Sequence, residues 1–205
     1  MLKIWGRKNS LNVEKVLWCA DELGLTYEQI DAGMQFGVVK EPFFLEMNPN
    51  GLVPTIKDDN FILWESNSIV RYLAAKYGEG VLSPKDLKER ADADRWMDWQ
   101  ATTLWPNFRP VFWGLVRTPP EQRDQKAIDE GIKKTTEALN LLDKHLAAHL
   151  YTTGGKFTMA DIPLGCAVYR WLNIPIKRPS LPNIDAWHQR LTERPAFKKN
   201  VMKPF

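Results

Sequence analysis

Glu65, Ser66, Asn67 and Ser68 stand directly before an apolar helical stripe, in the run NGLVPTIKDDNFILWESNSIVRYLAAKYG that begins at Asn50. The first turn of a helix presents backbone N–H groups that have no partner within the helix. Small polar side chains there either cap the helix or, with those N–H groups, hold a small anion. Pro54, eleven positions before Glu65, opens a strand. A proline at that place either marks a turn or sets the backbone for something else to pair with. Ser10 stands in a similar relation to the apolar helical run LNVEKVLW, where a hydroxyl also meets the positive end of a helix dipole. Each feature alone fits plain folding chemistry. Their joint presence and spacing raise the question of a ligand.

Other chemistries find little support. The only cysteines, Cys19 and Cys166, lie far apart in apolar helical segments with no CxxC, which argues against a disulfide framework or a zinc site. His145, His149 and His188 show no ligand spacing and are expected at the surface or as satisfied core groups. A net charge of +3, with lysines and arginines scattered, is too mild to argue for nucleic acid but permits a small anionic ligand. No apolar run is long enough to span a bilayer, and MLKIWGRKNS lacks a signal-peptide apolar region, so a cytosolic protein without a membrane partner is expected. Nine tryptophans are many for 205 residues; they suit a core or the wall of a pocket for flat apolar molecules.

The elements that must position these groups follow from hydrophobic period and breakers. LKIW reads as a strand, SLNVEKVLWCADELGL as a helix with Val13, Val16, Leu17 and Ala20 on one face, and TYEQID as a second strand parallel to the first. Residues 32–52 read as loop with a short helix around Phe43–Met47. PTIKD and FILW form a hairpin about Asp58–Asn60, and a helix carries Ile69, Val70, Leu73, Ala74 and Tyr77 inward. Residues 1–77 are thus a β-α-β-α-β-β-α unit with a mixed four-stranded sheet. Residues 78–87 read as a linker, and 88–205 as an all-helical domain. Its first helix is expected to bend near Pro106 and Pro110, and its second to turn Ile128, Ile132, Leu139, Leu142 and Leu146 inward.

An α/β unit with a proline opening its third strand resembles the thioredoxin superfamily. With the helical second domain and the run NPNGLVP…DDNFILWESNSIVRYL, the chain resembles cytosolic glutathione transferases over essentially its whole length. It is most like bacterial members whose start reads like WGRKNSLNVEKVLW. The resemblance implies a cis bond between Val53 and Pro54, a form cheap only before proline, that lets Val53 pair strand-like with the cysteinyl backbone of glutathione. It implies that Ser66 holds the γ-glutamyl carboxylate and Glu65 the ammonium. Lys40 is implied for the glycyl carboxylate, and Asn50 lies beside the ligand path or only shapes the turn. Glutathione is the implied co-substrate, with no metal.

The family stabilises the glutathione thiolate with a donor just after the first strand. GRKNSLN contains no tyrosine or cysteine, so Ser10 is the first candidate and Asn12 the second. Thr158 and Asp161 match the family's helix-capping box, a folding feature. Trp105, Phe108, Phe112 and Trp113 lie on the helix that lines the family's electrophile pocket between the domains, and one or two of these rings are expected to face it. The implied protein is a homodimer, with Asp98 and Gln100 as reach-across contacts. The implied reaction is conjugation of the glutathione thiolate to small apolar electrophiles. Glutathione-dependent disulfide reduction and a non-catalytic binding protein of the same fold are the alternatives.

Overall fold

The computed structural model describes residues 1–205. The chain divides into two units, Met1–Lys85 with Arg194–Phe205, and Asp86–Glu193. No helix is long and apolar enough to cross a membrane.

The first unit is built on strands β1 (Leu2–Trp5), β2 (Tyr27–Ile30), β3 (Thr55–Asp58) and β4 (Phe61–Trp64), with helices α1 (Leu11–Glu22), α2 (Pro42–Met47) and α3 (Ser66–Tyr77). The strand order is β2-β1-β3-β4. β1 and β2 are parallel, as a helical crossover requires, and the other neighbours are antiparallel. Ile4 and Ile56 face each other across β1 and β3. Both are buried with Val13, Val16 and Leu17 of α1 and Ile69, Val70 and Leu73 of α3. Each such side chain, fully buried, contributes about 1.5–3 kcal/mol. The β1–α1 turn needs glycine. Gly6 has φ of +154°, and a Cβ there would lie 2.4 Å from Val13 Cγ2 and 3.3 Å from Val53 Cβ.

A buried carboxylate fastens the β3–β4 hairpin to α3. Asp58 Oδ2 accepts from the Tyr72 hydroxyl at 2.8 Å, Lys76 Nζ at 2.7 Å and the Tyr77 hydroxyl at 2.8 Å. Burial pushes the Asp58 carboxyl up, but the hydrogen bonds from Lys76, Tyr77 and Tyr72 outweigh it and hold the group below its ordinary pKa.

The C-terminal segment differs from expectation. Helix α9 (Pro195–Asn200) was expected within the helical domain, but it packs on α1 in the first unit. Phe197 meets Trp18 edge-on at 4.8 Å. Arg194 grips Glu22 with two bonds of 2.8 and 2.6 Å, and Asn200 donates to Asp21 at 2.6 Å. The partners lie far apart in sequence, where local periodicity carries no information about them.

The second unit is helical: α4 (Leu87–Trp99), α5 (Trp105–Phe112), α6 (Gln125–Leu146), α7 (Asp161–Asn173) and α8 (Pro182–Thr192). The expected bend near the prolines takes a specific form. Wide π turns at Gln100–Leu104 and Trp113–Arg117 flank α5, which contains Pro106 and Pro110. Proline lacks the N–H of an α-helical bond, and π turns re-route the neighbouring bonds. α5 and α6 approach closely at Gly131, where a Cβ would meet Val111 Cγ2 at 2.7 Å and the Asn107 carbonyl at 3.0 Å. Asp161, the acidic member of the capping box, does more than cap α7. It accepts from Thr158 N at 2.9 Å, Thr152 N and Oγ1 at 3.0 Å, and Trp187 Nε1 at 2.9 Å.

A carboxyl whose pKa is lowered in the folded chain adds stability that is complete above its ordinary pKa and lost as pH falls through the lowered one. Asp58→Asn is therefore expected to cost about 1.5–3 kcal/mol near neutral pH. Thermal unfolding across pH should show the gap between wild type and variant closing on acidification. A gap independent of pH would mean that packing, not charge, makes Asp58 matter.

Candidate functional site

The register of the sheet brings the candidate residues to one end. Trp5 pairs with Ile30 on β2 and Thr55 on β3, and Thr55 pairs with Trp64 on β4. The chain leaves or enters this row at the turn to Ser10, the loop after β2, the loop through Val53 and Pro54, and the start of α3. Residues 10, 53 and 66 therefore adjoin strand ends that lie in one row of the sheet.

Ser10 is the N-cap residue of α1 by position, is 8% exposed, and its side chain makes no capping bond. The alternative that this hydroxyl only caps its helix does not hold. Its carbonyl accepts from Glu14 N at 2.8 Å, so the backbone alone closes the helix end. Asn12, by contrast, is engaged: its Oδ1 accepts from Ser66 Oγ at 3.2 Å. Ser66, the first residue of α3, is buried, as is Asn67. Lys15 Nζ donates to Ser66 Oγ at 3.3 Å and to Asn67 Oδ1 at 3.2 Å. Asn12 and Lys15 are three apart on α1 and so share a face, and that face meets the first turn of α3.

Glu65 occupies the N-cap position of α3 with φ of +70° and makes no side-chain cap bond. A non-glycine residue held there costs on the order of 1–3 kcal/mol and is typical of ligand clamps. Its side chain is exposed. The Val53–Pro54 bond is cis. The Val53 amide and carbonyl take part in none of the backbone hydrogen bonds of the surrounding loops. Asn48, 2% exposed, holds this loop: its Nδ2 donates to the Leu52 carbonyl at 2.9 Å and Thr55 Oγ1 at 3.0 Å. Asn50 donates its backbone N and Nδ2 to Asn48 Oδ1 at 3.1 and 3.0 Å, which makes it a turn-shaping residue. Lys40 is exposed beside that turn, its Nζ 3.2 Å from where a Cβ on Gly51 would stand.

Of the four aromatic residues singled out on the helical unit, Trp113 is exposed, Trp105 is half-buried and two are core. Trp105 and Trp113 line an open groove of about 470 Å³ with Pro106, Arg109 and Pro110, and the Arg109 guanidinium lies 5.6 Å from the Trp113 ring centroid. Phe108 and Phe112, 0% and 3% exposed, are interior: Phe108 packs edge-on against Trp171 at 5.7 Å, and Arg170 covers Phe112 at 4.8 Å. Gln100 is likewise fully buried, so a reach-across contact through it is ruled out, while Asp98 is exposed. Cys19 and Cys166 are buried free thiols, and burial pushes the Cys19 thiol far up, away from the thiolate form. No three metal-ligating side chains converge.

Sequence reasoning missed Lys15 and Asn48, and named Asn67 only among the small polar residues before α3. Lys15 carried a signal: it lies four residues after Leu11 and four before Cys19, so a charge interrupts the apolar stripe of α1. Asn48 lies in the 32–52 stretch read as loop, and only the folded loop reveals its four side-chain bonds.

The fold and the polar cluster define a class: a thioredoxin-type α/β unit with a polar cluster at the starts of α1 and α3, followed by a helical unit. Residues 1–75 match the glutathione S-transferase N-terminal domain and residues 104–195 the C-terminal domain. The chain belongs to the glutathione S-transferase family. It is 48% identical to glutathione S-transferase GstB of Escherichia coli K12, covering 100% of this chain and 99% of the relative. It is 29% identical to glutathione S-transferase 3 of Zea mays, covering 98% and 93%. Among solved structures, the theta class enzyme of Xanthomonas axonopodis pv. citri with glutathione bound superposes with a TM-score of 0.96 at 48% identity, covering 99% of this chain and 98% of that one.

The strained backbone at Glu65 generates a test. Glu65→Gly relieves the positive φ, worth on the order of 1–3 kcal/mol, against a glycine entropy cost of about 0.5–1 kcal/mol. The melting temperature is expected to stay level or rise while glutathione affinity measured by calorimetry falls. A lower melting temperature with unchanged affinity would assign Glu65 to the fold.

Proposed function

We propose that glutathione lies across this end of the sheet with its sulfur at Ser10, and that the chain transfers it, as thiolate, to an electrophilic carbon. The γ-glutamyl carboxylate meets the Ser66 hydroxyl and the first N–H groups of α3, favoured by the helix dipole. Glu65 takes the ammonium, the Val53 main chain pairs with the cysteinyl unit beside Pro54, and Lys40 reaches the glycyl carboxylate. Asn50 serves by shaping the turn. The electrophile's apolar contacts are assigned to the groove of the helical unit, where Trp113 is exposed and Trp105 half-buried beside Pro106 and Pro110.

The observation that carries the thiol assignment is the division of labour between Ser10 and Asn12. The Ser10 hydroxyl has no capping duty, whereas the Asn12 side chain is oriented toward α3 by the bond its Oδ1 accepts from Ser66, which leaves its amide N–H₂ as a secondary donor. A disengaged donor at the positive end of α1 suits a sulfur anion. Free thiols have a reference pKa near 8.5 and are mostly protonated at neutral pH, so a donor and a helix dipole that favour the anion raise the reactive fraction. The thiol proton leaves to solvent, the sulfur forms the new bond to carbon, and the leaving group departs with its electron pair. A purely structural or ligand-carrying role gives no reason to keep a strained Glu65 and an unused hydroxyl together.

The same reading extends to a homodimer. Phe61, Ile62 and Trp64 expose 48%, 37% and 37% of their surface on β4, an edge strand of the sheet. Apolar side chains on an edge are a liability unless a partner covers them, and two-fold pairing is the commonest arrangement. A cytoplasmic location suits the free thiols of Cys19 and Cys166.

Ser10→Ala is expected to raise the pKa of bound glutathione and move the rising limb of the pH–rate profile with an aryl halide to higher pH. The rate at neutral pH should fall by about 10²-fold or less, the lower range for losing one oxyanion donor, with little change in glutathione affinity. Ultraviolet titration of the bound thiolate measures the shift directly. An unshifted profile at full rate, with Asn12→Ala the more damaging change and disulfides outrunning carbon electrophiles, would replace this reading with disulfide reduction centred on Asn12.

A further inference from the structure

Lys15 is 3% exposed and lies on the face of α1 that carries Leu11, Trp18 and Cys19, all buried. Lysine is almost never fully buried unless paired, because a charge removed from water must regain its hydration energy from fixed partners. The partners here are specific. Lys15 Nζ donates to Ser66 Oγ at 3.3 Å and Asn67 Oδ1 at 3.2 Å, both in the first turn of α3. An ammonium only donates, so the Ser66 oxygen is used as an acceptor and its own proton points to another group, Asn12 Oδ1, at 3.2 Å. A hydroxyl whose oxygen already accepts from a cation is a stronger donor. Its neighbours are the N–H groups that start α3, which also carry partial positive charge.

We propose that Lys15 is a positioning residue for the γ-glutamyl carboxylate of glutathione, acting through Ser66 and Asn67 rather than by touching the ligand. The inference rests on the placement of that carboxylate at Ser66 given above. Lys15 does two things there. It holds the Ser66 hydroxyl and the Asn67 side chain in one arrangement before the ligand arrives. It also supplies a buried positive charge that solvent screens weakly, so a carboxylate gains and a neutral group does not. Asn12 keeps the Ser66 proton occupied until a carboxylate replaces it as acceptor.

The test compares two peptides by calorimetry: glutathione, and γ-aminobutyryl-cysteinyl-glycine, which keeps the amine and chain length but lacks the carboxylate. Lys15→Met is expected to weaken glutathione by about 10–100-fold while changing the second peptide by no more than about twofold, since charge-assisted contacts are worth roughly twice neutral ones. Equal losses for both peptides would make Lys15 a structural residue and overturn the proposal. Lys15→Arg, which keeps the charge, is expected to restore most of the preference for glutathione. Lys15→Gln, which keeps a donor without charge, is not. A Gln variant with the wild-type preference would overturn the role of charge even if Lys15→Met fails to fold. A wild-type protein that binds the two peptides equally would instead overturn the placement of the carboxylate at Ser66, a result distinct from any effect of Lys15.

Discussion

Four strands end in one cross-strand row, in which Trp5 pairs with both Ile30 and Thr55, and Thr55 with Trp64. The geometry of the candidate site depends on that register. Side chains along a strand alternate faces, so a slip of one residue would reverse the burial of Ile4 and Ile56. It would also move the starts of α1 and α3 out of step with each other. The two helix N-termini are each made by their own first turn, and their like partial charges oppose each other when side by side. Bringing them together is the work of the sheet.

Burial then raises the stakes for the polar groups that bridge the elements. Unsatisfied, each would cost on the order of 1–3 kcal/mol. The chain answers with clusters in which several donors converge on a buried acceptor, or several acceptors on a buried donor. Asp58 collects Tyr72, Lys76 and Tyr77 between hairpin and helix. Asp161 collects Thr152, Thr158 and Trp187 in the helical unit. Lys15 is the inverse case, a buried cation shared by Ser66 and Asn67. The first two serve the fold, one fastening the hairpin to α3 and the other holding the start of α7 to α8 within the helical unit. The third joins the two helix starts that the fold has gathered.

The helical unit follows a different logic. Its long first helix contains two prolines that an uninterrupted α-helix would not accommodate, and the π turns around them re-aim its side chains. Trp105 and Trp113 consequently open onto a groove with both prolines, while Phe108 and Phe112 turn inward onto Trp171 and Arg170. Gly131 allows α6 to lie close against this helix.

The sequence by itself determined the strand and helix order of the first unit, the helical character of the second and the cysteines as buried thiols. These are properties of period and breakers, which act within one or two turns of the chain and can be read there; Ser10, Pro54, Glu65 and Ser66 stood out as candidates through their resemblance to the family's motifs. Tertiary structure alone decided which polar groups are engaged and which are idle. Ser10 and Asn12 are both candidate donors by position; only the folded chain shows that Ser66, more than fifty residues later, donates to the Asn12 amide oxygen and fixes that side chain, while the Ser10 side chain makes no capping bond. The rings on the long helix share one spacing and divide by packing against α7, which no window of sequence contains. The C-terminal segment reads as one more piece of the helical domain, yet joins the first unit through Arg194, Phe197 and Asn200. Local pattern specifies what each segment forms. Partner identity across long separations depends on desolvation and close contact, and those exist only once the chain has folded.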